Sequence, residues 1–134
     1  MSQENLDLVR SILTAWESGD LNSADWADPN IEYVIADGPA PGGWKGLVGM
    51  AEGARANVET WEDLRFELAE YRELDGERVL VLHNYRGRGK TSGVDLGTVR
   101  AEGAQLFHIR DRKVTRLIHY WDREHVFADL GLAG

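Results

Sequence analysis

The sequence contains no cysteine, which excludes disulfides and thiolate metal sites. It has no apolar run long enough to span a bilayer. Its opening residues, M-S-Q-E-N-L-D, are acidic and lack the apolar stretch of a signal peptide. Basic residues are scarce: 15 Lys and Arg stand against 23 Asp and Glu, a net charge of −8. A nucleic-acid partner normally requires a basic face, so that class is not expected. The charges are mixed along the chain and serve solubility. These absences predict a cytoplasmic protein with neither a membrane nor a nucleic acid as partner. What is present fits a single domain over residues 1–134: 43% apolar residues and five tryptophans, enough for a core without staples.

Leu6, Val9, Ile12, Leu13 and Trp16 recur at helical spacing, and Gly19 can end that helix. The turn signal Asp28-Pro29-Asn30 precedes a strand, Ile31 to Ile35, with Ile31, Tyr33 and Ile35 on one face. Asp37 to Gly46 is rich in Gly and Pro and reads as a loop. A second helix starts near Gly46, with Leu47, Ala51, Ala54, Val58 and Trp61 as its stripe. Residues 62–74 fit either a helix or a strand. The Asp75-Gly76 turn before Val79 to His83 favours a strand, because a hairpin needs two arms. Arg86 to Gly97 reads as a glycine-rich connection between strands. Asp122 is an N-cap for a short closing helix in which Val126, Phe127 and Leu130 point inward.

Gln105 to Asp122 is the most informative stretch. Leu106 to Ile109 and Val114 to Trp121 form two arms around Asp111-Arg112. A two-residue loop pairs Arg110 with Lys113. It then sets His108 opposite Thr115, Leu106 opposite Leu117, Ala104 opposite His119 and Glu102 opposite Trp121. That register gathers His108, His119 and Trp121 on one apolar face. The order of elements predicts an α+β fold.

The chain resembles the SnoaL-like proteins of the NTF2-like superfamily. The resemblance rests on the first helix ending W-E-S-G-D-L, on A-D-P-N-I-E-Y before the Gly/Pro loop, on R-G-R-G-K-T-S-G-V and on the D-R-K-V turn. It also rests on H-Y-W-D-R ahead of a helix ending A-D-L-G-L. It implies a cone in which N-terminal helices pack on a curved, mostly antiparallel sheet that encloses a pocket. It implies a homodimer through the outer sheet face and a small apolar or aromatic ligand. Similar proteins include isomerases, cyclases, lyases, hydrolases and proteins that only bind. In similar cyclases an acidic acid/base residue lies near this point of the last strand, where the present chain carries His119. Similar ketosteroid isomerases place a catalytic aspartate at the end of the first strand. The matching Val34-Ile35 cannot take a proton, and Asp37 comes slightly later.

The expected activity is therefore that of a cofactor-independent enzyme moving protons on an apolar or polyketide-like substrate. The alternative is a non-catalytic binding or interaction protein of the same fold. Histidine titrates near neutrality, so His119, with His108 and His83, forms the candidate catalytic set. Trp16, Tyr33, Trp44, Tyr85, Glu102 and Trp121 are the candidate substrate contacts. Each histidine taken alone is more often a satisfied sheet residue, and Trp16 and Trp61 more often plain core. No metal or other cofactor is expected: the histidine spacing is not zinc-like. The G-K-T at Gly89 to Thr91 lacks both the first glycine and the helix of a phosphate loop.

Overall fold

The computed structural model describes residues 2–17, 25–37, 41–59, 61–91 and 94–131. Side chains are described for these except 2, 16–17, 54, 56–59, 61–69, 85–91 and 94–101. Gly19 lies outside the described residues.

Helix α1 spans Ser2–Glu17, strand β1 Ala27–Ile35, β2 Gly42–Lys45, helix α2 Gly46–Glu59, β3 Trp61–Asp75, β4 Arg78–Thr91, β5 Val94–Arg110, β6 Lys113–Tyr120 and helix α3 Arg123–Leu130. The strands form one open sheet in the order β2-β1-β6-β5-β4-β3. Every pairing is antiparallel except β1 with β6, which is parallel. The architecture is the expected α+β one. Among the described residues no helix is long and apolar enough to cross a membrane.

The sheet carries two apolar layers. Its inner face, with Ile31, Tyr33, Ile35, Val79, Val81, Phe107, Ile109, Val114, Leu117 and Trp121, packs against Val9, Ile12 and Leu13 of α1. The α1 stripe thus buries Val9, Ile12 and Leu13, with Leu6 partly buried beside them. Asn5 pins the same helix to the β3–β4 turn, its Nδ2 donating to the Gly76 carbonyl at 2.9 Å. The outer face, with Leu80, Leu82, Ala104, Leu106, Ile118 and Tyr120, packs against Val126 and Phe127 of α3. Burying each large side chain contributes about 1.5–3 kcal/mol before the entropy of ordering is counted.

Three elements differ from their sequence reading. Residues 42–45, expected in a loop, form β2 on the edge of β1, where Gly42 and Gly43 pair with Ile35 and Val34. Helix α2 does not bury Leu47 or Ala51, the described members of its predicted stripe. Leu47 and Val48 are 40% and 75% exposed, and Ala51 is exposed. The helix instead turns Gly49 and Gly53 toward Trp44, and at Gly53 only a residue without Cβ lets the indole approach. Trp61 opens β3 rather than extending α2. The described part of the glycine-rich run from Arg86 to Gly97 is strand, the far half of β4 and the start of β5, paired from Arg86↔Arg100 to Thr91↔Val94 with a register shift between Arg88 and Lys90. Backbone pairing does not require side chains, so glycine content hides such a strand. Residues 62–74 lie in β3, as the Asp75-Gly76 turn requires.

Candidate functional site

The β5–β6 hairpin closes with Arg110 opposite Lys113 and Ile109 opposite Val114, as a two-residue turn demands. Asp111 and Arg112 both have positive φ, 51° and 64°, the backbone of a type I′ turn built without glycine. One step further the register slips. His108 pairs with Arg116, leaving Thr115 as the extra residue of a β-bulge, its hydroxyl donating to the His108 carbonyl at 3.3 Å. Beyond the bulge every partner is displaced by one: Leu106 faces Ile118, Gln105 faces His119, and Ala104 faces Tyr120.

A slip of one residue exchanges the faces of a strand. His108 therefore does not join His119. Its neighbours across the strands are Arg78 and Arg116, and it shares the outer face with Leu106. Partial burial, then the Arg116 and Arg78 guanidiniums, hold its imidazole below the usual histidine range. Glu102 lies on that outer face as well, exposed, its carboxylate 3.3 Å from the guanidinium of Arg123.

On the inner face the bulge brings together a different set. His83 of β4, Gln105 of β5 and His119 of β6 lie on neighbouring strands, Gln105 directly opposite His119. The Gln105 Oε1 accepts a hydrogen bond from His83 Nε2 at 2.9 Å. Because a carboxamide oxygen can only accept, this bond fixes the His83 proton on Nε2 and its lone pair on Nδ1. His119 sits opposite Ile35 of β1, and its carbonyl accepts from the Ala36 amide at 2.9 Å. Trp121 stands edge-on to His119, ring centroids 4.6 Å apart.

Both imidazoles are buried, 1% and 3% exposed. Burial removes the water that would solvate an imidazolium, and this lowers both pKa values. His83 falls to about 4 by burial and the nearby Arg123 charge, against the opposing pull of Gln105. His119 falls to about 3 by burial, then by His83. The pair is therefore neutral throughout the physiological range. Two neutral imidazoles and a carboxamide can donate and accept hydrogen bonds and can relay a proton. They present no fixed charge.

The remaining candidates are dispersed. Tyr33 is buried on the inner face opposite Leu117, and its ring lies 6.0 Å from that of Trp44 at 38°. Trp44, expected among the substrate contacts, is half-buried in β2 and seated on α2, where a Cβ at Gly53 would come within 2.6 Å of it. Trp16 belongs to α1, Trp61 to β3 and Tyr85 to β4, with side chains outside the described residues. Gln105 is the member that sequence reading missed. Asp122 is the cap it was read to be, accepting from the Glu124 amide at 3.0 Å, and Gly131 closes α3 in the left-handed conformation. Among the described residues no group of three or more His, Asp or Glu side chains is placed to hold a metal ion.

No curated protein matches the sequence. Solved structures match over nearly the full chain. One is the structure of TerC co-crystallised with polyporic acid, with 20% identity, covering 95% of this chain and 97% of that one at a TM-score of 0.73. A candidate polyketide cyclase from Xanthomonas campestris pv. campestris has 20% identity over 95% and 96% of the two chains, TM-score 0.70. AclR, a candidate hydroxylase from Streptomyces galilaeus, has 16% identity over 100% and 89%, TM-score 0.66. At these identities the likeness establishes the shared NTF2-like α+β cone fold and no activity. A family model, the SnoaL-like domain, matches residues 9–117, and the chain belongs to that family.

Proposed function

We propose that the inner sheet face binds a small, uncharged, largely apolar molecule, aromatic or polyketide-like, and that His119 moves a proton on it. The observation that carries this reading is the row His83–Gln105–His119, its two imidazoles buried and its carboxamide half-buried, set in an apolar stretch of the described inner face and flanked by Trp121. Burying two imidazoles beside a carboxamide costs stability unless they serve structure or ligand. Apolar walls with a few convergent polar groups are the usual composition of a small-molecule site.

Neutrality defines the chemistry. At neutral pH, His119 is not an imidazolium acid. As a neutral ring it can donate its N–H to a substrate carbonyl and accept a proton from an acidified C–H or O–H. Among the described residues the row itself carries no fixed charge, which favours a ketone, quinone or phenol over a carboxylate, whose desolvation these three side chains would not offset. His83, with its tautomer set by Gln105, is the assisting histidine. His108 and Glu102 lie on the opposite face and have no part in this site. A homodimer through the outer face belongs to the same proposal.

The test is solvent-deuterium incorporation into a panel of uncharged aromatic ketones and quinones. Wild-type exchange that falls by about 10²-fold or more in His119→Gln, with folding intact, is the expected result. Undiminished turnover in that variant ends the assignment. A second reading, binding without catalysis, is favoured by the depth of the depression: at about 3, His119 is a weak base. It predicts ketone binding with no deuterium uptake.

A further inference from the structure

His125, on the first turns of α3, is placed quite differently from the two inner histidines. Its Nδ1 lies 2.8 Å from Asp37 Oδ2, in the segment that follows β1. Its Nε2 lies 3.4 Å from Asp129 Oδ2, one turn further along α3. Asp129 Oδ2 also accepts from the Tyr120 hydroxyl at 3.1 Å, and the Tyr120 ring stands edge-on to His125, centroids 5.2 Å apart. Asp37 is shared in turn: its Oδ1 accepts from the Trp121 amide at 2.5 Å. One imidazole thus joins α3, the end of β1 and the end of β6.

Both ring nitrogens face carboxylate oxygens. A neutral imidazole has a single N–H, so one nitrogen would turn its lone pair on a carboxylate. Only the doubly protonated ring satisfies both sides. The two carboxylates lie against opposite edges of the ring, so one metal ion cannot take all three groups. The charged and titratable groups around His125 come from every packed element. Asp37 follows β1, Tyr120 ends β6, and Asp122 and Asp129 belong to the cap and last turn of α3. Arg116, the described cation acting on this cluster, is felt at Tyr120 rather than at His125.

We propose that α3 is fastened to the sheet by a proton-operated clamp, in which imidazolium His125 bridges Asp37 and Asp129. Protonated, the clamp holds Val126 and Phe127 on the outer apolar layer and keeps Asp37 on the Trp121 main chain. Deprotonated, it loses one of its two carboxylate contacts, and α3 is held by its apolar contacts, the Tyr120–Asp129 bond and the Arg123 bonds to the His83 carbonyl and Glu102. The direction of titration agrees. The Asp37 hydrogen bond raises the His125 pKa most, burial opposes it, and the Asp129, Asp37 and Asp122 charges add to the rise. A group raised on folding contributes fully below its unfolded value near 6.5 and loses that contribution as pH climbs through the higher folded value. The clamp is therefore closed below about pH 6.5 and opens as pH climbs through the raised folded value.

Amide hydrogen exchange on the full chain between about pH 6 and 9, corrected for intrinsic rates, tests this. Opening of α3 in the wild type should rise by up to about tenfold per pH unit, the limit for one linked proton. In His125→Gln the corrected opening should be flat with pH. A flat wild-type profile, or an unchanged slope in the variant, overturns the proposal. Should His125→Gln lose its near-ultraviolet circular dichroism, Asp129→Asn replaces it. Removing one carboxylate must then shift the wild-type midpoint to lower pH, and an unmoved midpoint overturns the clamp equally.

Discussion

Replacing His119 by leucine removes the most strongly perturbed titrating group from the inner face, and the consequence can be worked out from its burial. The folded chain refuses a proton at His119 until about pH 3. The unfolded chain accepts one near 6.5. Between those values the unfolded state binds more protons, so stability falls as pH falls. It is complete above the unfolded value and is lost progressively below it. One such group costs about 1.4 kcal/mol per pH unit across that window, so moving from pH 7.5 to 5 removes about 2 kcal/mol. His83, lowered to about 4, acts in the same sense, and together the pair removes about 4 kcal/mol. That is a large share of the roughly 5–15 kcal/mol a domain holds. Urea unfolding at about pH 7.5, 6 and 5 measures it, above the range in which most carboxylates titrate. The gap between wild type and His119→Leu should shift by about 2 kcal/mol in favour of the variant across that range. His108 and His125, present in both proteins, cancel in the difference. A gap constant with pH would refute the buried, neutral histidine.

Four further outcomes follow from particular contacts. In Gly53→Ala the new Cβ would meet the Trp44 ring at 2.6 Å and Tyr33 at 2.8 Å, so the midpoint of thermal unfolding should drop by an amount equivalent to about 1–3 kcal/mol, despite alanine's better helix propensity. Arg112→Gly relieves a positive φ of 64° in the hairpin turn and should raise stability by several tenths of a kcal/mol, up to about 1, in the same assay. Asp122→Ala removes the side-chain acceptor of the Glu124 amide and should cost about 1 kcal/mol in urea unfolding. Asn5→Leu deletes the bond to the Gly76 carbonyl and should lower stability by about 1–3 kcal/mol, with faster amide exchange in α1.

The sequence revealed the fold more fully than the site. The α1 periodicity, the cap of α3 and the Asp75-Gly76 turn are local signals, and each sits where local physics places it. The type I′ turn was legible even without glycine, because strand residues flank a two-residue polar break. The site was lost one residue further on. A bulge at Thr115 has no mark in residue type, since threonine suits a regular strand equally well. Either register leaves apolar residues on both faces, because Leu106, Phe107 and Ile109 give both alternations a core. Only the observed pairing reveals that Gln105, not His108, accompanies His119. Trp44 illustrates the same limit. Its role depends on Gly49 and Gly53 meeting it from α2, a contact between elements that no window of sequence contains.

The measurement that tests the central claim most directly is a nitrogen-resolved NMR titration of the His83 and His119 imidazoles, with and without an uncharged aromatic ketone such as tetralone. Both rings should remain neutral at about pH 5, with the His83 proton on Nε2, and their nitrogen shifts should move when the ketone is added. Rings that titrate near the ordinary histidine value, or that stay unmoved by every ketone, quinone and phenol offered to the folded protein, would contradict the inner face as the site.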